Sequence, residues 1–383
     1  VPLNADERDE LRASVRALLE RESSSERVRA AITGPGGFDA ALSAQMVELG
    51  WTSIHVPERH GGAGAGYADL GIVVHELGRA ITPAPFLASA VLASSALARS
   101  DNHSVADGAL RALVSGEARG SVALASSDGS YEPSRLTTEW ESRDSLLRLR
   151  GSSAFVLDAD VAELLVVAAR RAEGITALVL VDMASPGVRV ERTATVDATR
   201  RLFSVVFDDV VVAEASLLCE PGVRADEIVD EIVAIGAIAV ACDAAGATER
   251  VLERAAQYAN ERVQFGKPIG SFQAVKHHCA NMAIAVEASK AATHAATAAL
   301  DGDPGSWATA ASVTSSYVGP ACAEACAVGM RVHGGIGYTW EHDSHLYLKR
   351  VKLDEVLFGS PSWHRRRLAR ALIDSSDGSE ARS

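Results

Sequence analysis

The chain has 383 residues, 48% hydrophobic and 23% charged, with a formal net charge of −13. That length is more than one hydrophobic core usually serves, so two or three domains of ordinary globular composition are expected. The acidic balance excludes a nucleic-acid partner, which needs a basic face against phosphate, and no apolar run reaches the length of a membrane span.

The opening residues lack the charged, apolar and small-residue succession of a signal peptide. Cys219, Cys242, Cys279, Cys322 and Cys326 show neither CxxC nor framework spacing. Cys322 and Cys326 lie four apart on an expected helix, but no His or Cys elsewhere has matching spacing. They read as buried thiols, without a metal, and a cytoplasmic location is expected.

Three blocks follow one another, and together they give an α+β fold class. Residues 1–118 are rich in alanine, leucine and charge at helical spacing, as in "ADLGIVVHELGRAI", where Leu70, Val73, Val74, Leu77 and Ile81 share a face. The loop "HVPERHGGAGAGY" interrupts them. In residues 119–215 the β-branched runs "SLLRLRG", "AELLVVAAR", "ITALVLVDM", "GVRVERT" and "LFSVVFDDVVV" predict an antiparallel barrel or sandwich. Residues 222–383 return to helical periodicity. A long helix is predicted over Asp226–Arg262, striped by Ile228, Ile232, Ile235, Ala239, Cys242 and Gly246. A second begins near Ser271 and a third ends near Met330, so this block is predicted to be an antiparallel bundle. Helices, then strands, then helices argue against alternating βαβ units, and no GxGxxG follows a strand, so no Rossmann site is expected.

The junction "ERVQFGKPIGSFQ", Glu261–Gln273, supports two readings. Arg262 at a helix C-terminus, with Pro268 and Ser271 stopping one helix and capping the next, accounts for part of it. Phe265 beside Arg262 and Gln273 beyond suit an anion joined to a flat base, because guanidinium offers a fixed fork of donors to phosphate. The later run "RVHGGIGYTWEHDSHLYLKR" carries Gly334, Gly335 and Gly337 at a helix end. Such glycines either cap the helix or let backbone N–H groups approach a phosphate.

The stretches "YANERVQFGKPIGSFQAVKHHCANM" and "VHGGIGYTWEHDSHLYLKR" resemble the acyl-CoA dehydrogenase family, in the order and architecture of that family. "LGWTSIHVPERHGGAGAGYADLGIVVHELGRA" is similar to its N-terminal helical domain. The resemblance implies an N-terminal helical domain, a middle β domain and a C-terminal four-helix bundle that builds the oligomer. It implies FAD as cofactor, an acyl-CoA substrate and electron-transfer flavoprotein as electron acceptor. By position, Arg262, Phe265 and Gln273 match residues that hold the adenosine diphosphate of FAD reaching across from a neighbouring subunit. Arg331, Val332, His333, Gly334 and Gly335 match the backbone beside the same part of the cofactor, with Arg331 standing where glutamine is usual.

Other parts depart from the family. Where a Thr-Glu-Pro, Gly-Ser-Asp stretch is usual, this chain has "ALASSDGSYEPS", with Ser126 and Ser127 at the expected threonine and glutamate. Where a lysine and a Trp-Ile-Thr-like segment face the flavin ring, it has "GSSAFVLDAD". The two usual positions of the catalytic base fall on Gly359 and Gly236, leaving Glu231, Glu341 and Glu355 only as sequence neighbours, and the catalytic residue is unassigned. The resemblance therefore implies a base-lacking, ADP-clamping subunit of a heteromeric enzyme, like the α2β2 members of actinobacterial steroid and cholesterol side-chain degradation. The other readings are a self-sufficient homo-oligomer with an unorthodox base and a flavin-free structural partner. In each case a dimer or tetramer is expected, with the Asp226–Arg262 and Ser271–Leu300 helices near the subunit interface.

Overall fold

The computed structural model describes residues Pro2–Glu380. The chain opens with α1 (Ala5–Glu22), α2 (Ser25–Thr33), α3 (Ala40–Glu48) and α4 (Tyr67–Arg79). A π-helical stretch, Phe86–Ala93, runs into α5 (Ser94–Ala98), and α6 (His103–Ser115) closes the first helical block. Asn4 caps α1 through a reciprocal box with Glu7, which satisfies two N-terminal donors at once.

Seven strands follow: β1 (Gly120–Ala123), β2 (Glu139–Arg143), β3 (Leu146–Leu157), β4 (Leu164–Arg170), β5 (Thr176–Asp182), β6 (Val188–Thr193) and β7 (Leu202–Ala213). They form one curled sheet in the order β1-β4-β2-β3-β7-β6, with β5 on the other edge of β4. The five β-branched runs fall on β3 to β7. The sheet differs from an all-antiparallel one, because β1 and β2 both pair parallel to β4. Its inner face buries Trp140, Leu147, Leu149, Val167, Val179, Phe203 and Phe207 in one cluster.

The remaining helices are α7 (Val223–Glu261), α8 (Gln273–Leu300), α9 (Trp307–His333), α10 (Ser344–Asp354) and α11 (Pro361–Glu380). Every residue of α7 from Ile232 to Thr248 is buried, so the apolar stripe is part of a helix enclosed on all sides there. Among α7, α8 and α9 the packing depends on small residues. A Cβ on Gly329 of α9 lies 2.3 Å from Val251 Cγ1 of α7 and 3.3 Å from Met282 Cε of α8. Cys322 and Cys326 face into this bundle, beside Ser289 (3.5 Å) and Thr248 (3.7 Å), and burial pushes both thiols up. Cys279 alone of the five is only half-buried. The buried Asp243 of α7 and Arg350 of α10 form a two-pronged ion pair, with Nε to Oδ2 and Nη2 to Oδ1 both at 2.9 Å.

Two compact units result. One comprises residues 29–70 and 83–236 and holds the sheet; the other comprises residues 4–28, 71–82 and 237 onward and holds the bundle. No helix among the described residues is long and apolar enough to cross a membrane.

Candidate functional site

The α7–α8 junction is more than a helix stop. Val263–Gln264 and Lys267–Pro268 form a minimal hairpin, β8 and β9, paired Val263↔Pro268 and Gln264↔Lys267. The two turn residues, Phe265 and Gly266, have φ of 51° and 79°, which makes this a two-residue loop with both centres left-handed. Such a loop usually carries Asn-Gly. A phenylalanine there is an outlier of the kind that collects at functional sites. Its side chain is 92% exposed and meets Phe272 edge-on, with ring centroids 6.2 Å apart.

Arg262 is exposed at the base of the hairpin. Its backbone N–H donates to Tyr258 O (2.8 Å) and its carbonyl accepts from Ile269 N–H (2.8 Å). Its guanidinium makes no ion pair or hydrogen bond within the described residues. Gln273, the first residue of α8, is also exposed.

The glycine turn after α9 lies at the same end of the bundle. Tyr258, one helical turn before Arg262, packs its ring 4.8 Å from that of His333, which immediately precedes Gly334. His333 is buried; its Nδ1–H donates to Gly329 O (2.8 Å), and its ring lies 4.5 Å from that of His342. Val332 is buried as well, so the backbone of this segment, and not these two side chains, is what faces outward. Gly334 has φ 64° and ψ −146°, a conformation that glycine alone adopts without strain. A Cβ on Gly334 or Gly335 meets nothing within 4 Å. Arg331 is exposed and reaches Glu324 through Nη2 at 2.6 Å, which partly neutralises it.

The other half of the expected site is closed on itself. The Ser126 hydroxyl donates to Asp128 and accepts from Ser130 N–H at 2.9 Å, while Ser127 N–H is taken by Thr137 Oγ1 at 2.7 Å. The Phe155 ring lies over Gly129, where a Cβ comes within 2.4 Å of it. Asp128 is paired with Arg135.

Of the two glycines at the positions expected of the base, Gly236 is buried and Gly359 is crowded. Gly236 lies in the enclosed stretch of α7. Gly359 has φ 116°, and a Cβ there falls 2.4 Å from Trp363 Cε3 and 2.9 Å from His364 Nε2. Burial, helped by Arg367, pushes the His364 imidazole down to about 4, so it is neutral at pH 7, and its Nδ1 lies 3.2 Å from Ser312 Oγ. Glu231 accepts from Arg99 Nε at 2.9 Å. Glu355 pairs with Lys352 at 2.8 Å and packs beside Gly319. Glu341 is exposed. Sequence reading missed Lys267, whose Nζ lies 4.5 Å from the centre of the Phe272 ring. The two phenylalanines flanking it were the available signal.

Comparison with known proteins joins these observations. Residues 5–117 match the family pattern described as acyl-CoA dehydrogenase, N-terminal domain, and residues 227–373 match acyl-CoA dehydrogenase, C-terminal domain. The chain is 35% identical over 378 residues to acyl-CoA dehydrogenase IpdE2 of Mycobacterium tuberculosis, covering 97% of this chain and 98% of that one. The solved structure of a variant of the Tcur3481-Tcur3483 steroid ACAD matches with a TM-score of 0.87 at 27% identity, over 97% of this chain and 99% of that one. The ChsE4-ChsE5 complex from Mycobacterium tuberculosis matches with a TM-score of 0.86 at 27% identity, over 97% and 98%. The chain belongs to the acyl-CoA dehydrogenase family, whose members are FAD-dependent oxidoreductases.

Proposed function

We propose that this chain is the base-lacking subunit of a heteromeric acyl-CoA dehydrogenase and that it holds the ADP portion of FAD for the partner's active site. The observation that carries the reading is Gly359. At this position, one of the two where the family resemblance places the base, the backbone is left-handed and Trp363 fills the space a side chain needs. The named relatives add support, since two solved structures of similar chains are assemblies of paired, differently numbered subunits.

The residues present fit the diphosphate end of FAD. The Arg262 guanidinium offers five donors with no hydrogen-bond or ion-pair partner among the described residues. Phe265 offers an exposed ring, and Gln273 an amide at the start of α8. Gly334 and Gly335 leave open space beside a backbone that only glycine adopts easily. The ring end of the cofactor fits less well, because the Ser126–Ser130 loop uses its own donors. When bound, FAD accepts the hydride removed from the acyl β-carbon. This chain's part is to bind and orient: Arg262 neutralises phosphate charge and the glycine turn leaves room for close approach. Electron-transfer flavoprotein is the acceptor we propose, and the proposed assembly is a dimer or tetramer with α7 and α8 near its interface.

Arg262→Ala is expected to release FAD from the assembly without unfolding the bundle, since the exposed guanidinium makes no ion pair or hydrogen bond within the described residues. A charge-assisted contact of about 1.5–3 kcal/mol corresponds to a loss of roughly ten- to a hundredfold in affinity. Flavin content after gel filtration reads this out, and unchanged content rules the clamp out. Arg262→Lys is expected to recover little, because an ammonium lacks the planar fork.

A further inference from the structure

The junction hairpin carries a second cation. Paired residues of an antiparallel ladder share a face, and alternate residues return to it. The pairing Gln264↔Lys267, continued by the bond from Ile269 N–H to Arg262 O (2.8 Å), therefore sets Arg262, Gln264 and Lys267 on one face. Val263 and Pro268 belong to the other. Arg262 and Lys267 stand diagonally across the ladder, a relation that separates Cα atoms by about 7–8 Å. Two long cationic side chains on such a base can reach adjacent phosphates of one diphosphate.

The surroundings leave both cations available. Neither makes an ion pair within the described residues, in a chain of net charge −13. The nearest carboxylate in sequence, Glu261, accepts the Gln257 amide at 2.8 Å, back along α7. Lys267 instead rests its ammonium 4.5 Å from the centre of the Phe272 ring, and the same ring meets Phe265 edge-on at 86°. One aromatic thus steadies both the cation and the exposed phenylalanine at the tip.

We propose that Lys267 is the second cation of the diphosphate grip and that Phe272 is its positioning residue. This rests on the reading of the junction as the cofactor clamp.

The test uses the flavin-bearing assembly that the wild-type chain enters, stripped of flavin and titrated with FAD. The variants are Lys267→Gln, Phe272→Leu, Phe272→Tyr and Arg262→Ala. Lys267→Gln, at an exposed position, is expected to weaken FAD binding about tenfold and to flatten the salt dependence of affinity. Phe272→Leu is expected to weaken it about two- to fivefold, with Phe272→Tyr restoring it. If Lys267→Gln binds as wild type while Arg262→Ala does not, the lysine assignment falls and the clamp stands. If both bind as wild type, the clamp falls and takes this inference with it. A Phe272→Tyr variant as weak as Phe272→Leu overturns the positioning role.

Discussion

Supplied alone with FAD and an acyl-CoA thioester, the purified chain is expected to turn over about 10²–10⁴-fold more slowly than the assembled enzyme, the usual contribution of a general base. On the proposed reading, the chain carries no carboxylate at the two positions where the family resemblance places the base. Gly359 and Gly236 replace it, Glu231 is held by Arg99, and Glu355 by Lys352. His364, beside Gly359, is buried and a weak base, pushed down to about 4. Gly359→Glu is not expected to restore activity. The new side chain begins 2.4 Å from the Trp363 ring, and accommodating it costs about 1–3 kcal/mol in displaced packing. Steady-state assays of the chain alone, with and without Gly359→Glu, read this out; turnover matching the assembly contradicts it.

Asp243→Asn is expected to destabilise the bundle by about 3–5 kcal/mol, because it removes the charge that the buried Arg350 guanidinium grips through two hydrogen bonds. Both side chains are nearly inaccessible, at 4% and 5%, and their two hydrogen bonds of 2.9 Å match fork to carboxylate. The pair Asp243→Leu with Arg350→Met is expected to lose less than either single change, since it removes both charges together. Urea midpoints of Asp243→Asn, of the single changes Asp243→Leu and Arg350→Met, and of the double variant decide this. A single substitution costing under about 1 kcal/mol is what an exposed ion pair gives, and contradicts the burial.

The helices and the longer strands were legible because their patterns are local. The stripe from Ile228 to Cys242 announced α7, and β-branched runs announced β3 to β7. The strands β1, with four residues, and β2, "EWESR", were not legible, since one is too short and the other too charged to show alternation. Their parallel pairing to β4 is tertiary and leaves no local trace.

At the site, Arg262, Phe265 and the glycines stood out by residue type. The hairpin between the helices did not, because its turn is Phe-Gly and the usual marker is Asn-Gly. The ring of Phe272 under Lys267 belongs to side-chain placement, which no spacing rule reports. Gly359 could be found by position, whereas the crowding of its Cβ site by Trp363 needed coordinates.

The measurement that bears most directly on a base-lacking, flavin-holding subunit is the ratio of flavin to chain, taken together with turnover. The chain is isolated alone and again after co-expression with a homologous partner chain that carries the base. The co-purified complex is expected to hold half as many flavins as chains and to desaturate acyl-CoA, while the chain alone does not. A homo-oligomer of this chain with as many flavins as chains, and robust turnover, contradicts the account.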